Sequence, residues 1–138
     1  MKRVLVLGGQ GMLGHIVVKT LSGLQEIKVE CTVKGDEDSP FYFNVENGID
    51  QLRKIIKSHG NFDYIINCIG ILSNKIDKKN IDSVRNAILV NSLFPHDLTK
   101  LENELGTRVI HISTDGVFGK SAGLCLEDSL QFSEGVYG

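Results

Sequence analysis

A short apolar run followed by glycines at every third position constrains this chain more than any other feature. Val4-Leu5-Val6-Leu7 is continuous and apolar, and Gly8-Gly9-Gln10-Gly11-Met12-Leu13-Gly14 follows it directly. Four apolar residues ended by glycine suit a strand buried on both faces. Leu13, Ile16, Val17, Leu21 and Leu24 then recur at helical spacing. Between strand and helix, each glycine has its own task. Gly8 permits the tight turn, Gly11 lets the backbone approach a ligand without a Cβ in the way, and Gly14 allows the helix to pack close to the sheet.

The rest of the chain repeats the alternation, with no internal repeat or low-complexity linker. Ile27 to Val33 reads as a second strand, residues 35–40 as a solvated loop, and Phe41-Tyr42-Phe43 as a short third strand. Ile49 to Lys57 is a helix with Leu52, Ile55 and Ile56 on its buried stripe. Tyr64 to Ile69 is a fourth strand ended by Gly70, and Ser73 to Asn80 a loop. One long helix is expected from Ile81 to Leu105, with Val90, Leu93, Phe94, Leu98, Leu101 and Leu105 inward, before a fifth strand from Arg108 to Ile112 and an irregular tail. Strands alternating with helices imply an α/β, doubly wound parallel sheet with right-handed crossovers, the Rossmann arrangement. Ligands bind such sheets beyond the carboxyl ends of the strands, where the strand order reverses. Every motif below falls at such an end.

At 138 residues, 41% of them hydrophobic, the chain suits one domain with a real core. A formal net charge of -2 gives no electrostatic basis for capturing nucleic acid or a membrane surface. Cys31, Cys68 and Cys125 lie far apart and odd in number, which fits a reducing cytosol rather than a disulfide framework. The apolar run after Met1-Lys2-Arg3 breaks at Gly8, too early for a signal peptide, and nothing approaches the roughly 20 apolar residues of a membrane span. His15, His59, His96 and His111 lack ligand spacing, so no metal site is expected.

A glycine turn of this kind opens a helix whose unpaired N–H groups and positive end suit a pyrophosphate. Gly8, Gln10, Gly11, Met12 and Leu13 are therefore candidate cofactor-binding residues; the bland alternative is an ordinary glycine-rich turn. An NAD site usually places a carboxylate at the end of the second strand, for the ribose 2′-OH. That end reads Thr32-Val33-Lys34, and Lys34 could pair with a 2′-phosphate. Asp36 would serve NAD if the strand were shifted. NADP(H) is thus slightly favoured over NAD(H).

Five features carry a family resemblance: residues 8–14; Phe43-Asn44-Val45; Ile66-Asn67-Cys68-Ile69-Gly70; Val90-Asn91-Ser92-Leu93-Phe94-Pro95; and residues 111–119, His-Ile-Ser-Thr-Asp-Gly-Val-Phe-Gly. With these the chain resembles an extended short-chain dehydrogenase/reductase, and more narrowly the dTDP-4-dehydrorhamnose reductase family. The resemblance implies that Asn44, where the family more often has Asp, and Val45 meet an adenine ring. It implies that Cys68, Ile69 and Gly70 line the ribose and nicotinamide, with Asn91 in the same cofactor site. Cys68 read alone is a small buried hydrophobe. Thr114 would donate to a substrate carbonyl, and Tyr137 would be the general acid of a Y-x-x-x-K motif.

Reducing a ketone takes a hydride on one face and a proton for the developing alkoxide. A tyrosine hydroxyl, with an ordinary pKa near 10, gives that proton when a cation lowers it. The family's lysine stands four residues after the tyrosine, and this sequence stops at Gly138. Residues 1–138 are thus expected to be the nucleotide-binding part of a larger protein, binding cofactor with no appreciable turnover alone.

The function implied is NAD(P)H-dependent reduction of a 4-keto-6-deoxy sugar nucleotide in cell-surface polysaccharide synthesis, with homo-oligomerisation left open. The alternatives are a sugar-nucleotide epimerase or dehydratase of the same fold, and a non-catalytic regulatory subunit that keeps the nucleotide pocket. Pro95 cannot donate to the Asn91 carbonyl, which leaves that carbonyl free for a water or catalytic group; an ordinary kink or a break between two helices explains it equally.

Overall fold

The computed structural model describes residues 1–119, 123–133 and 135–138. Its centre is a four-stranded parallel sheet formed by β1 (Lys2–Leu7), β2 (Ile27–Cys31), β3 (Tyr64–Asn67) and β4 (Arg108–His111), in the order β2-β1-β3-β4. Val4 to Leu7 are 0–3% exposed, as a strand covered on both faces must be. The strand order reverses between β1 and β3, whose register pairs Leu7 with Asn67. A crevice therefore opens at the carboxyl ends of those two strands.

The helices are α1 (Met12–Ser22), α2 (Ile49–His59), α3 (Ile81–Ile88) and α4 (Phe94–Leu105). One side of the sheet carries the core, in which Leu5, Leu7 and Ile65 meet Leu52 and Ile56 of α2 and Leu98 and Leu101 of α4. Phe43 and Phe94 stack there with ring centroids 5.6 Å apart. The other side is thinly covered. In α1 only Gly14 is buried, while Leu13, Ile16 and Leu24 of the expected apolar stripe are 42–50% exposed.

Two expectations need correction. Phe41-Tyr42-Phe43 is not a strand of the sheet: it makes a single bridge, Val33 to Tyr42, held by Val33 N–H to Phe41 O and Phe43 N–H to Val33 O. Three residues between Pro40 and the Asn44 cap of the next 3-10 turn leave no length for a ladder. The long helix is also not uniform. A π turn over Leu89–Leu93 separates α3 from α4, and the Phe94 N–H reaches back five residues to the Leu89 carbonyl. Pro95 lies in the first turn of α4, where a missing N–H is tolerated, and the ladder widens just before it. The extra residue turns Leu93 outward, to 54% exposure, while Val90, Phe94, Leu98 and Leu101 stay buried.

Candidate functional site

The crevice is built from backbone first. Gly8 has a φ of +78°, a left-handed conformation that favours glycine, and a Cβ there would meet Ile69 Cγ1 at 2.9 Å. A Cβ on Gly14 would fall on the Gly8 carbonyl, so α1 can approach the turn only without one. Gly9, to which the sequence pattern gives no task, faces β2: its Cβ would lie 2.5 Å from Cys31 Sγ. Gly11 caps α1 with no side chain, and the first turn contains no acid. The positive end of the helix is thus left free for an anion.

Thr32 holds this turn in place, and nothing in the glycine pattern reveals it. Fully buried at the end of β2, it accepts the Gly8 N–H on Oγ1 at 2.9 Å and the Gly9 N–H on its carbonyl at 3.1 Å. Gln10 Oε1 accepts the N–H groups of Lys34 and Gly35 at 3.1 and 3.2 Å, tying the turn to the chain after β2.

Two clefts meet over this frame. The first, about 290 Å³, is lined by Gly8, Gln10, Gly11, Lys34, Asn44, Val45, Cys68, Ile69 and Gly70, with Glu46 and Asn86. The second, about 330 Å³, is lined by Gly11, Met12, Leu13, Asn91, His111, Thr114 and Tyr137 and again by Cys68, Ile69 and Gly70. Gly11 and the segment after β3 are common to both. All the candidate residues therefore border one trough across the carboxyl ends of the strands. Tyr137 also borders a cavity of about 270 Å³ with Ser73, Lys78 and Ser133.

Several of these side chains spend their polar atoms on the protein itself. Asn91 Oδ1 accepts the Ile71 N–H at 2.8 Å and its Nδ2 donates to the Ile71 carbonyl at 2.9 Å, so Asn91 fixes the segment that borders the clefts. Asn44 Oδ1 caps the next turn by accepting the Glu46 N–H. Thr114 Oγ1 accepts the Gly116 N–H at 3.0 Å and lies 3.4 Å from Asp115 Oδ1. A Cβ on Gly116 would lie 3.4 Å from the Tyr137 ring, an ordinary contact distance, so that ring lies close against the Thr114 turn.

Asn67, fully buried, accepts the Ile69 N–H on Oδ1 at 3.1 Å and places Nδ2 3.1 Å from His111 Nδ1. Partial desolvation where its ring meets the buried Asn67 lowers the pKa of His111, although the residue is exposed at the end of β4, and burial raises that of the Cys68 thiol. Among the described residues no three His, Cys, Asp or Glu side chains cluster to hold a metal ion, and no helix is long and apolar enough to cross a membrane.

A family model, the RmlD substrate binding domain, matches residues 1–138. The chain belongs to this family. No curated protein matches the chain. Among solved structures, a hypothetical dTDP-4-dehydrorhamnose reductase from Sulfolobus tokodaii is similar with a TM-score of 0.80 and 24% identity, over 99% of this chain and 48% of that one. An ADP-L-glycero-D-manno-heptose-6-epimerase from Helicobacter pylori gives 0.79 and 18%, over 99% and 47%. A UDP-glucuronic acid 4-epimerase from Bacillus cereus, solved in complex with NAD, gives 0.68 and 16%, over 99% and 47%. These likenesses establish the Rossmann-like fold. The chain spans about half the length of each.

Proposed function

We propose that this chain forms the cofactor-binding part of an NAD(P)H-dependent reductase acting on a 4-keto-6-deoxy sugar nucleotide. The observation that carries the reading is the trough itself. It runs from Lys34, over the uncapped start of α1, to a cleft shared by Thr114 and Tyr137. The backbone at Gly11, Met12 and Leu13 would take the pyrophosphate, and Asn44 and Val45 would border the adenine. Cys68, Ile69 and Gly70 would underlie the ribose and nicotinamide. Lys34, at the rim beside Gln10, favours a 2′-phosphate and hence NADP(H).

A bound reduced nicotinamide would supply a hydride to the ketone carbon. This chain's own residues would orient the carbonyl and supply the proton: Thr114 donates its hydroxyl hydrogen to the carbonyl oxygen, and Tyr137 gives a proton to the alkoxide. The cavity on the far side of Tyr137 is where the sugar would approach. The test is titration of the folded chain with NADPH and NADH, followed by nicotinamide fluorescence. Saturable binding, tighter for NADPH and weakened by Lys34→Ala for NADPH alone, is expected; a folded sample that binds neither dinucleotide overturns the reading.

A further inference from the structure

The strongest unassigned feature is the pair Asn67 and His111, 44 residues apart in sequence: Asn67 is fully buried, and His111, exposed at the end of β4, lines the second cleft. Asn67 has no freedom in its amide. The Ile69 N–H can only be accepted by an oxygen, so Oδ1 points to Ile69 and Nδ2 points to His111. Nδ2 has only hydrogens to offer, so His111 Nδ1 must present a lone pair, and the proton of the neutral ring sits on Nε2. An imidazolium carries hydrogens on both nitrogens. Protonation would set donor against donor, and the contact is relieved either by the exposed His111 ring swinging away and leaving Asn67 Nδ2 unpaired, or by Asn67 turning and abandoning Ile69. Asn67 is fully buried, so water cannot easily take over the lost bond.

Ile69 is where the consequence is felt. Its side chain lies against Gly8, and it borders both clefts. Resting on the reading that these clefts hold a dinucleotide, we propose that Asn67 and His111 form a proton-sensitive latch: neutral His111 holds the shared cleft floor in its binding shape, and protonated His111 releases it. Few ionisable groups share the second cleft with His111, and the chain-terminal Gly138 is among its lining residues. From the β3 end comes the Cys68 thiol, kept neutral by burial; from the tail comes Tyr137; α1 offers Met12 and Leu13. No Asp, Glu, Lys or Arg lines this cleft among the described residues. Asp115 follows Thr114 in the 3-10 turn after β4, and His15, outside the cleft, bonds the Gly11 carbonyl.

The test uses this chain with NAD+, whose own charge is constant between about pH 5 and about pH 8, by calorimetry. Losing one buried hydrogen bond of ordinary strength predicts affinity roughly three- to tenfold weaker at the acid end. His111→Gln, which keeps an acceptor for Asn67 and cannot titrate, should flatten that profile, and His15→Gln should retain it. Separately, ring nitrogen NMR of His111 at neutral pH should show hydrogen on Nε2 and none on Nδ1. Flat wild-type affinity, a slope that survives in His111→Gln, or an Nδ1–H tautomer each overturns the latch. Absence of NAD+ binding at every pH, together with no NADPH or NADH binding, defeats the cofactor reading instead; the ring tautomer then still decides the pair.

Discussion

Replacing Thr32 by valine isolates one hydrogen bond on which the glycine turn depends. Valine has nearly the shape of threonine and keeps its preference for extended backbone. The backbone bonds at this position, Thr32 N–H to Val6 O and Gly9 N–H to Thr32 O, need no side chain and survive. What disappears is the oxygen that accepts the Gly8 N–H at 2.9 Å. Thr32 is 1% exposed, so no water reaches the vacated side. An unpaired buried N–H costs about 1–3 kcal/mol, and the added methyl returns part of that, leaving a net loss of about 1.5 kcal/mol. With an unfolding entropy of about 2.1 cal/mol/K per residue, 138 residues give about 0.29 kcal/mol/K, so Tm should fall by about 5 °C. Thr32→Ser keeps the acceptor and should lose less despite removing a methyl. The ligand readout is sharper. Thr32 anchors the N–H of Gly8 at the head of the turn, so Thr32→Val should also weaken dinucleotide binding while Thr32→Ser should not. Calorimetric melting and NADPH titration of the three proteins check this. Thr32→Val melting with wild type and binding equally well would refute the assignment of Thr32 as the anchor.

Gly14→Ala should cost about 2–3 kcal/mol, because overlap with the Gly8 carbonyl outweighs the helix-propensity gain; chemical denaturation measures it. Gly9→Ala should cost about 1–3 kcal/mol by the same assay, its Cβ having to displace Cys31 or the turn. Asn91→Leu leaves both backbone groups of Ile71 without their partner and should cost about 2 kcal/mol, with Asn91→Asp intermediate because it keeps the bond from the Ile71 N–H. Stability should fall with acid in two stages. The pKa of His111, exposed but partly desolvated beside Asn67, is depressed, so as pH drops below the ordinary imidazole value of about 6.5 the unfolded chain takes up the proton first, and stability declines slightly until the folded value is passed. Burial works against the Glu30 carboxylate, yet the hydrogen bond and charge of Arg3, with Lys28, hold it below its usual value, and the Lys2 hydrogen bond lowers Asp63. Stability from these two is present above their unfolded values and is lost as pH falls through the folded ones. Melting scans across pH should show both stages, and His111→Gln should remove only the upper one.

What the sequence made legible was whatever the backbone dictates locally. Val4 to Leu7 read as a doubly covered strand because four consecutive apolar residues leave no solvent face. The spacing of Gly8, Gly11 and Gly14 gave the turn because steric freedom is a property of single residues. Bonds between distant side chains left no such mark. Thr32 and Gly8 are 24 residues apart, and Asn67 and His111 are 44 apart. Neither pair has a spacing that any periodic pattern would reveal. A threonine ending a strand and an asparagine inside the apolar run Ile65-Ile66-Asn67-Cys68-Ile69 were the available signals. A polar residue in a run bound for the interior must find a partner there, and the glycine turn and the neighbouring strand end are the two places at hand.

Helical periodicity has a limit of a different kind. It marked the residues of α2 and α4 that enter the core, since those helices are covered along their whole apolar stripe. In and just after α1 the same period picked out Leu13, Ile16 and Leu24, which are 42–50% exposed, and at the opposite, β4 edge of the sheet Ile110 and Ile112 are 41 and 43% exposed. Periodicity reports which face is apolar; the depth of burial depends on what lies against it. At the π turn even the face is shifted, because one added residue rotates Leu93 out of a stripe that Phe94 continues. That same turn sets Asn91 facing Ile71, so the local irregularity that defeats the helical pattern also positions a wall of the trough.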